Sequence, residues 1–444
     1  MTNRPKISPA FEPFLAKVDG NTYQDAIVLF KGKPLSGRLA HGTQEYFQTL
    51  TTQSQNNQGV MQQVAASFNS ATGESLHAEV VGSGALPIAK VEVTKNNLPA
   101  LAAQPDVIAV LPNQQIHLIQ PTAVDYSDLR NQEETSKLTW GLELMEIPKV
   151  WETTKGAGVT VAVLDTGVYA EHYTLKDRIK DFVVVDPQGR RITATPAFDG
   201  GQHGTHVCGT VAGGQTESGV AIGVAPEADL IAAGVLIGNA TLRTLIEGMS
   251  WAVEKGARII NMSLGLSYYE PTFTEVFDIL INQYNVLPVV AIGNENHGNT
   301  SSPGSAYNAF SIGALDQQPN SQLDIAFFSS GASLVFPENT THNLVNKPDV
   351  SAPGTQVYSA IPPTQQPDGP HQYTYMDGTS MATPHIAGVV ALLMSAKPDV
   401  SVTQIIEVLK ETAFHPGGEE ARPDNRWGWG MVKPVAALEA LTKY

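Results

Sequence analysis

Four short stretches of the chain are almost entirely apolar, and patterns typical of helices separate them. The stretches are VTVAVLD (159–165), DLIAAGVL (229–236), ARIINMSL (257–264) and VLPVVAIG (286–293). Such runs are typical of parallel strands covered on both faces, because a strand with one solvated face alternates apolar and polar residues. Between the second and third runs, apolar residues recur at helical spacing: Leu242, Leu245, Ile246, Met249 and Val253. The sequence therefore predicts an α/β fold, a mainly parallel sheet with helices on both faces.

The charge balance, the apolar runs and the single cysteine indicate which binding partners and which cellular compartment to expect. The chain has 43 acidic and 27 basic side chains, and the whole acidic excess lies after residue 119. Nucleic acids and anionic membranes bind basic patches, so the sequence predicts neither partner. No run of about 18 apolar residues is present, which predicts no membrane span. Cys208 stands alone and forms no intrachain disulfide, and the first 20 residues lack a secretory signal, which predicts a cytoplasmic protein or one trimmed of its leader.

Residues 1–119 differ in composition from the rest and predict a separate small domain. DAIVLF (25–30) and IAKVEV (88–93) predict strands, and a glutamine-rich stretch between them predicts a helix. NNLPALAAQP predicts a second short helix, and DVIAVLPN predicts a last strand. The order β-α-β-β-α-β predicts a small α+β domain of the ferredoxin-like type. The segment 120–136 is polar and unpatterned, which predicts a linker.

Three residues far apart in the sequence point to one chemistry. Asp165 ends a predicted strand in VAVLDTGV, His203 opens a small-residue helix in DGGQHGTHVCGTVAG, and Ser380 opens another helix in DGTSMATPH. Each residue alone has a structural explanation, such as a strand-end carboxylate or a helix N-cap. Together they supply what nucleophilic acyl transfer needs. A serine hydroxyl attacks well only when an imidazole takes its proton and a carboxylate holds that imidazole.

The surroundings of Ser380 suit the role of nucleophile. At a helix N-terminus, unpaired backbone N–H groups and the positive end of the helix dipole face a developing oxyanion. Gly378 lets a substrate carbonyl approach the backbone closely, and Pro384 is tolerated because the N–H groups of the first turn lack partners. The stretch HIAGVVALLM is apolar on most sides, which predicts a buried helix that holds the serine rigid.

At these residues the chain resembles a known family. VAVLDTGV, HGTHVCGT and GTSMATPHIAG resemble the three active-site signatures of the subtilisin-like serine proteases, and the resemblance runs from WGLELMEIPKVW (140–151) to WGWGMVKPVAAL (427–438). IAKVEV and DVIAVLPNQQIHL resemble the inhibitory propeptide of the same family. The resemblance implies a serine endopeptidase acting on protein or peptide substrates, made as a zymogen and self-processed.

The resemblance also implies the domain boundaries. Residues 1–119 would be the propeptide, acting as intramolecular chaperone and inhibitor. Residues 120–139 would be a linker or the start of the mature chain, and residues 140–444 the catalytic domain. Autoprocessing is expected after Ile119, within a window of 117–136.

Further site residues follow from the resemblance. Asn294 in VVAIGNENHG would donate a side-chain N–H to the oxyanion. NMSLG (261–265) would pair with the substrate backbone as an added strand. The primary specificity pocket would have two walls, Ser263, Leu264 and Gly265 on one side and Ala291, Ile292 and Gly293 on the other. These small and apolar walls favour an apolar or aromatic substrate side chain.

The sequence departs from the family at a calcium site. Relatives use an aspartate nine residues after the catalytic one, where this chain has Thr174, and an asparagine-rich loop, where it has GGQTESGVAIGVAP. Only Glu217 offers an obvious carboxylate, so we expect the usual calcium site to be lost and no cofactor to be required, while calcium binding at another site stays open. The two histidines of HGTH, His203 and His206, lack the HExxH pattern of zinc proteases, so we expect no zinc site at His206. His385 is expected to fill a structural polar position.

Other features leave alternatives open. Cys208 is either a small buried residue or a thiol whose bulky modification would disturb His203. DTG at 165–167 is also the signature of aspartic proteases, which need two carboxylates, but no second DTG or DSG exists. A non-catalytic relative, or a transpeptidase or macrocyclase that passes the acyl group to an amine, would carry the same three residues. The insertion 331–350 predicts a surface loop.

Overall fold

A small amino-terminal domain precedes the large one in the computed structural model of the chain, which describes residues 6–35, 41–124, 127–317, 322–336, 344–366 and 369–441. Its elements are α1 (Glu12–Leu15), β1 (Gln24–Phe30), α2 (Gln44–Thr72), β2 (Ala78–Val80), β3 (Ile88–Val93), α3 (Leu98–Ala102) and β4 (Val107–Pro112). Its strands pair antiparallel in the order β2-β3-β1-β4. From β1 onward the elements follow the order β-α-β-β-α-β that the sequence predicts. Helix α2 begins after Thr43, whose hydroxyl accepts the Tyr46 N–H.

The described part of the segment that joins the two domains contains regular secondary structure. It contains β5 (His117–Leu118), β6 (Thr122–Val124) and α4 (Ser127–Ser136), while residues 125–126 lie outside the described part. The interpretation of 120–136 as an unpatterned linker is therefore wrong in its secondary structure. A polar helix such as α4 needs hydrogen bonds to stay in place, and buried Glu133 supplies them by accepting the Trp140 N–H and the Tyr375 hydroxyl.

The large domain has one central sheet, and three smaller sheets lie outside it in the described residues. Its strands are β7 (Thr160–Asp165), β8 (Ile179–Val185), β9 (Arg191–Ile192), β10 (Asp229–Gly234), β11 (Ile259–Met262), β12 (Leu264–Gly265), β13 (Leu287–Ala291), β14 (Phe310–Gln317), β15 (Leu323–Ile325), β16 (Ala332–Val335), β17 (Leu344–Lys347), β18 (Val350–Pro353), β19 (Val357–Gln366) and β20 (Gly369–Asp377). Within the described residues, nine strands form the central sheet in the order β15-β14-β13-β11-β7-β10-β8-β9, with β18 beside β14. Only the β8–β9 and β14–β15 pairs in this sheet are antiparallel. The prediction of a mainly parallel sheet is confirmed.

Helices cover both faces of this sheet, as predicted. They are α5 (Trp140–Leu144), α6 (Ile147–Trp151), α7 (His203–Ala212), α8 (Leu242–Glu254), α9 (Thr272–Asp278), α10 (Thr379–Ala396), α11 (Val402–Glu411) and α12 (Pro434–Leu441), and a π-helical turn, Ile279–Gln283, extends α9. Alternate residues of β7 point to opposite faces of the sheet and pack in two different hydrophobic cores. Val161 and Val163 pack in the core that contains α7 and α10, while Ala162 and Leu164 pack in the core that contains α8 and α9.

The amino-terminal domain packs on the α8–α9 face. Ile27 and Leu29 of β1 share one hydrophobic core with Leu242 of α8 and Phe273 of α9. Hydrogen bonds add to this contact, including 2.6 Å from the Tyr46 hydroxyl to the Val253 carbonyl and 2.7 Å from the Gly82 N–H to Glu247. The two domains therefore bury apolar surface together, which stabilises their association.

Two further regions bear on the sequence predictions. The described ends of the 331–350 insertion are strands β16 and β17, which pair antiparallel, so a plain surface loop is wrong for them, and 337–343 lie outside the described residues. In the described part of the chain, α10 is the one helix long and apolar enough to cross a membrane, and 89% of it is buried inside the protein.

Candidate active site

Asp165 and His203 form a buried pair. Asp165 is the last residue of β7, and His203 is the first residue of α7. The ring Nδ1 lies 2.8 Å and 2.9 Å from the two carboxylate oxygens, and both residues are at most 3% exposed. Because a carboxylate only accepts, Nδ1 carries the hydrogen and Nε2 is the basic nitrogen. Nε2 is buried and has no hydrogen-bond partner among the described residues.

A second carboxylate, Asp199, which the sequence analysis missed, supports this pair. Asp199 accepts the hydroxyl hydrogens of Thr166 and Thr205, both at 2.6 Å, and the Thr205 N–H at 2.8 Å. Thr166 donates its backbone N–H to Asp165 and accepts the N–H of Gly204 with its hydroxyl. Asp199 thus ties the end of β7 to the first turn of α7. The aspartate in FDGGQH, four residues before His203, was the available signal.

Ser380 is the second residue of α10, as the sequence predicts for a nucleophile at a helix N-terminus. Its hydroxyl donates to Met381 Sδ at 3.4 Å. Because His203 Nε2 has no hydrogen-bond partner among the described residues, no hydrogen bond joins Ser380 to His203. A β-carbon at Gly378 would lie within about 3.4 Å of Ser380 Oγ, Asn294 Nδ2 and Pro121 Cβ, which therefore surround one point. The absence of a side chain at Gly378 leaves room there for another backbone.

The Asn294 side chain is fixed at both ends. Its Oδ1 accepts the backbone N–H and the hydroxyl of Thr379, at 2.9 Å and 2.8 Å. Its Nδ2 donates to the carbonyl oxygen of Gln120 at 2.9 Å. Gly293 before it has φ of 117°, and a side chain there would overlap the Glu295 carboxylate. Glycine is therefore needed to turn the chain after β13.

The residues assigned to the substrate-pairing edge contact the chain's own segment. In β12, Leu264 pairs with Leu118 and Gly265 pairs with His117, antiparallel. The Ser263 carbonyl accepts the Ile119 N–H at 3.2 Å. Gly265 also needs to be glycine, because a side chain there would overlap the Ser302 carbonyl. Ala291 and Ile292 are buried at the end of β13, and their role in a specificity pocket stays a prediction.

The segment from Gln115 to Val124 therefore crosses the whole site. Before Gln120 it pairs with β12, and after Pro121 strand β6 pairs antiparallel with Tyr375–Asp377 of β20. Between these pairings lies the carbonyl that Asn294 binds. A peptide chain thus already occupies the groove in which the sequence predicts a substrate.

The other candidate histidines and the cysteine have structural places. His206 lies between the carbonyls of Val357 and Thr374, at 3.0 Å and 3.2 Å from Nε2, and burial lowers its pKa to about 3. The His385 ring Nδ1 donates to the Met381 carbonyl, and burial lowers the pKa of His385 to about 4. Cys208 is fully buried in the core around α7, which raises the pKa of its thiol.

The geometry also bears on metals and on the aspartic-protease alternative. Across the described ranges, no group of three or more His, Cys, Asp and Glu side chains is arranged to hold a metal ion. Asp165 pairs with an imidazole, whereas an aspartic protease needs a second carboxylate that shares its proton.

Comparison with known proteins agrees with this geometry. The model of the Subtilase family matches residues 156–430, more than half of the chain. The chain belongs to the subtilase family. This subtilase is a serine endopeptidase that acts on protein or peptide substrates, so the aspartic-protease alternative is wrong.

Individual relatives cover most of this subtilase. M-protease of Shouchella clausii (strain KSM-K16) is 32% identical over 356 residues, which are 79% of this chain and 79% of that protein. Subtilisin Savinase of Lederbergia lenta is 35% identical over 302 residues, which are 67% of this chain and 97% of the relative. The crystal structure of fervidolysin from Fervidobacterium pennivorans aligns with a TM-score of 0.68 and 26% identity, over 94% of this chain and 61% of that one.

Proposed function

We propose that this subtilase is made as a zymogen whose cleft is filled by its own chain. Residues 1–119 act as inhibitory propeptide and folding aid, residues 120–139 are the linker or the start of the mature chain, and residues 140–444 are the catalytic domain. The observation that carries the proposal is the 2.9 Å hydrogen bond from Asn294 Nδ2 to the Gln120 carbonyl, with paired strands on both sides of it. A substrate that adds a strand to the cleft would present its carbonyl in the same way.

The proposed mechanism uses Asp165, His203 and Ser380 as the catalytic triad. His203 Nε2 takes the hydroxyl proton as Ser380 Oγ attacks the substrate carbonyl, and water then hydrolyses the acyl-enzyme. Asp165, bonded to Nδ1, holds the ring and stabilises its charged form. Asn294 and the first N–H groups of α10 stabilise the oxyanion. Before attack, Ser380 Oγ turns from Met381 toward His203 by rotation about χ1.

The amino-terminal domain has contacts that suit both of its proposed roles. As a folding aid, it covers apolar residues of α8 and α9, which lie on one face of the central sheet. As an inhibitor, it holds the segment that crosses the cleft, because Asn113 and Gln114 accept hydrogen bonds from the Arg243 and Leu242 N–H groups in the first turn of α8. Self-processing then takes place within residues 117–136, in the same molecule or between molecules.

We also propose that activity needs no calcium ion at the position used by relatives. The Thr174 hydroxyl hydrogen-bonds with His172 Nδ1, and the Glu217 carboxylate accepts the Tyr373 hydroxyl at 2.6 Å. In the same loop, the Lys137 ammonium donates to the Ser218 carbonyl at 2.9 Å. A hard divalent ion prefers several free oxygens, and here the carboxylate is engaged and a cation already binds the loop. These residues therefore do not fit calcium, and no step of the mechanism uses it.

One experiment tests the zymogen and the triad together. The purified full chain is incubated, and its new N-termini are mapped by mass spectrometry beside Ser380→Ala and the matched control Ser395→Ala, which lies at the far end of α10. We expect cuts within 117–136 in the wild type and in Ser395→Ala, and an intact Ser380→Ala chain. A fluorophosphonate should label the first two only. If the Ser380→Ala chain is cut at the same bond, the protein does not process itself through Ser380.

The same incubation separates hydrolysis from acyl transfer. A peptide with a free amine is added with the substrate, and the product masses are compared. Products that carry added water support the endopeptidase. Products that carry the amine would support the transpeptidase or macrocyclase alternative, and no labelling in any variant would support a non-catalytic relative.

A further inference from the structure

We infer that the bond presented to Ser380 is Gln120–Pro121, and that its proline makes the segment a tethered inhibitor that the enzyme does not cut in place. Maturation then requires one molecule to cut another at a different bond. This inference rests on the proposed function, since it assumes that Ser380 is the nucleophile and Asn294 the oxyanion donor. The proposed function leaves open whether processing takes place within one molecule or between molecules, and this inference selects processing between molecules.

The residues Gln115–Val124, which we call the docked segment, lie in the cleft in a register that identifies the bond presented to Ser380. The Gln120 carbonyl, rather than that of Ile119, accepts the Asn294 Nδ2 hydrogen, while the Ile119 N–H bonds Ser263. On the far side, Pro121 Cβ lies against Gly378, at the point that Ser380 Oγ and Asn294 Nδ2 also border. Strand β6 begins immediately afterwards, at Thr122. The bond at the nucleophile is therefore one residue beyond the expected cut after Ile119.

Proline at this position opposes the second half of the reaction. Attack forms a bond between Ser380 Oγ and the Gln120 carbonyl carbon and transfers the hydroxyl proton to His203. Collapse must then break the bond from that carbon to the Pro121 nitrogen, which leaves as an amine after accepting the proton. In an ordinary residue the nitrogen carries a hydrogen and can turn its lone pair toward the imidazole. In proline the ring carbon Cδ occupies that side, and the ring restrains the turn.

The nucleophile and base are also disengaged in the docked state. Ser380 Oγ donates to Met381 Sδ at 3.4 Å, and His203 Nε2 has no partner in the described part of the chain. The segment is held on both sides of the bond, by β12 before it and by β20 after it. It therefore inhibits as a bound substrate would, and both pairings retain it.

Substitution of the proline tests the inference. The full chain is compared with Pro121→Ala, with the matched control Thr122→Ala, and with Pro121→Ala/Ser380→Ala. Each protein is incubated at several concentrations, N-termini are mapped over time, and reaction with a fluorophosphonate is measured. Cooperative melting of the double variant shows that the substitution leaves the fold intact, and Pro121→Ser serves as a second variant if Pro121→Ala melts without cooperativity.

The expected results are specific. Pro121→Ala should be cut between residues 120 and 121 at a rate independent of protein concentration, about 10²-fold or more above any cut there in the wild type, since transfer of a proton to a leaving group contributes that much. The wild type and Thr122→Ala should keep that bond, and any processing elsewhere should accelerate with concentration.

Two outcomes would overturn the inference while leaving the protease intact. One is a wild-type chain cut at 120–121 at the rate of Pro121→Ala. The other is a Pro121→Ala chain, and likewise Pro121→Ser, that reacts with the fluorophosphonate but keeps the bond. In contrast, the same cut in Pro121→Ala/Ser380→Ala, or no fluorophosphonate reaction in any variant with Ser380, would refute the proposed function itself.

Discussion

Asn294 connects helix α10 to the segment Gln115–Val124, because its Oδ1 accepts two hydrogen bonds from Thr379 while its Nδ2 donates to the Gln120 carbonyl. The side-chain amide is thereby held with its donor edge toward the cleft. A donor fixed in this way needs no reorganisation when a carbonyl acquires negative charge, and this is the condition under which an oxyanion site is most effective.

Replacing that donor should slow catalysis more than binding. For Asn294→Leu we expect kcat to fall by about 10²–10³, the usual cost of one lost oxyanion donor, with KM nearly unchanged. The rates are measured on the matured enzyme with a peptide substrate. Asn282→Leu, at an exposed position away from the cleft, is the control. An Asn294→Leu enzyme with the wild-type kcat would remove Asn294 from the mechanism.

Asp199 should act as a positioning residue. Asp199→Ala removes the carboxylate that accepts the Thr166 and Thr205 hydroxyls at 2.6 Å and leaves Thr166 only the longer contact with Asp165, which loosens the joint between β7 and α7. We expect kcat to fall by about 10²-fold through misplacement of His203, with little change in KM. Asp199→Asn, which keeps one acceptor oxygen, should recover part of the loss. Asp181→Ala, which removes an exposed ion pair with Lys255, is the control, and equal effects of the two alanine variants would contradict the role.

Glu133 should make the stability of the chain depend on pH. Burial raises the pKa of this carboxyl from about 4.5 to about 7, although hydrogen bonds from Trp140 and Tyr375 lower it. The folded-state pKa lies above the unfolded one, so the stabilisation is complete below about 4.5 and is lost as the pH rises through about 7. The loss amounts to about 3 kcal/mol, because one pKa unit corresponds to about 1.4 kcal/mol.

The Glu133 prediction is measured by urea unfolding between pH 4.5 and 8 in the uncut Ser380→Ala background. Glu133→Gln should become more stable than its parent by that amount as the pH rises. Glu134→Gln, next to it and in an ion pair with exposed Arg130, should follow the parent. Parallel pH curves for Glu133→Gln and the parent would show that the carboxyl does not titrate in this range.

Chelation should have little effect on stability. The thermal midpoint of the Ser380→Ala chain is expected to be the same with calcium and with a chelator, because Thr174 and Glu217 are engaged with His172 and Tyr373. Tyr373→Phe, which frees the Glu217 carboxylate, should remain insensitive, since a single carboxylate is a poor calcium site. A large rise of the midpoint with calcium, abolished by Glu217→Ala, would contradict the proposal.

The sequence predicted what local patterns determine. Strands such as Thr160–Asp165 are apolar on both faces, and that feature alone identifies a covered parallel sheet. Motifs around His203 and Ser380 carried the family resemblance. In contrast, α4 has no apolar face, and its order depends on the distant Tyr375. Asp199 precedes glycines and is typical of a turn, so its bonds to Thr166 and Thr205 were not visible. The bond placed at Ser380 depends on pairing with β12 and β20, which no local pattern encodes.

The ends of three neighbouring strands set the geometry of the cleft. Met262 of β11 is level with Leu164 of β7 and with Val290 of β13, so the next residues, Asp165, Ser263 and Ala291, reach the same edge together. Deleting one residue inside any of these strands would shift that wall by about 3.3 Å and turn its side chains to the opposite face. The enzyme should therefore tolerate length changes in the loops beyond the sheet far better than in the strands, and altered specificity is best sought by remodelling those loops.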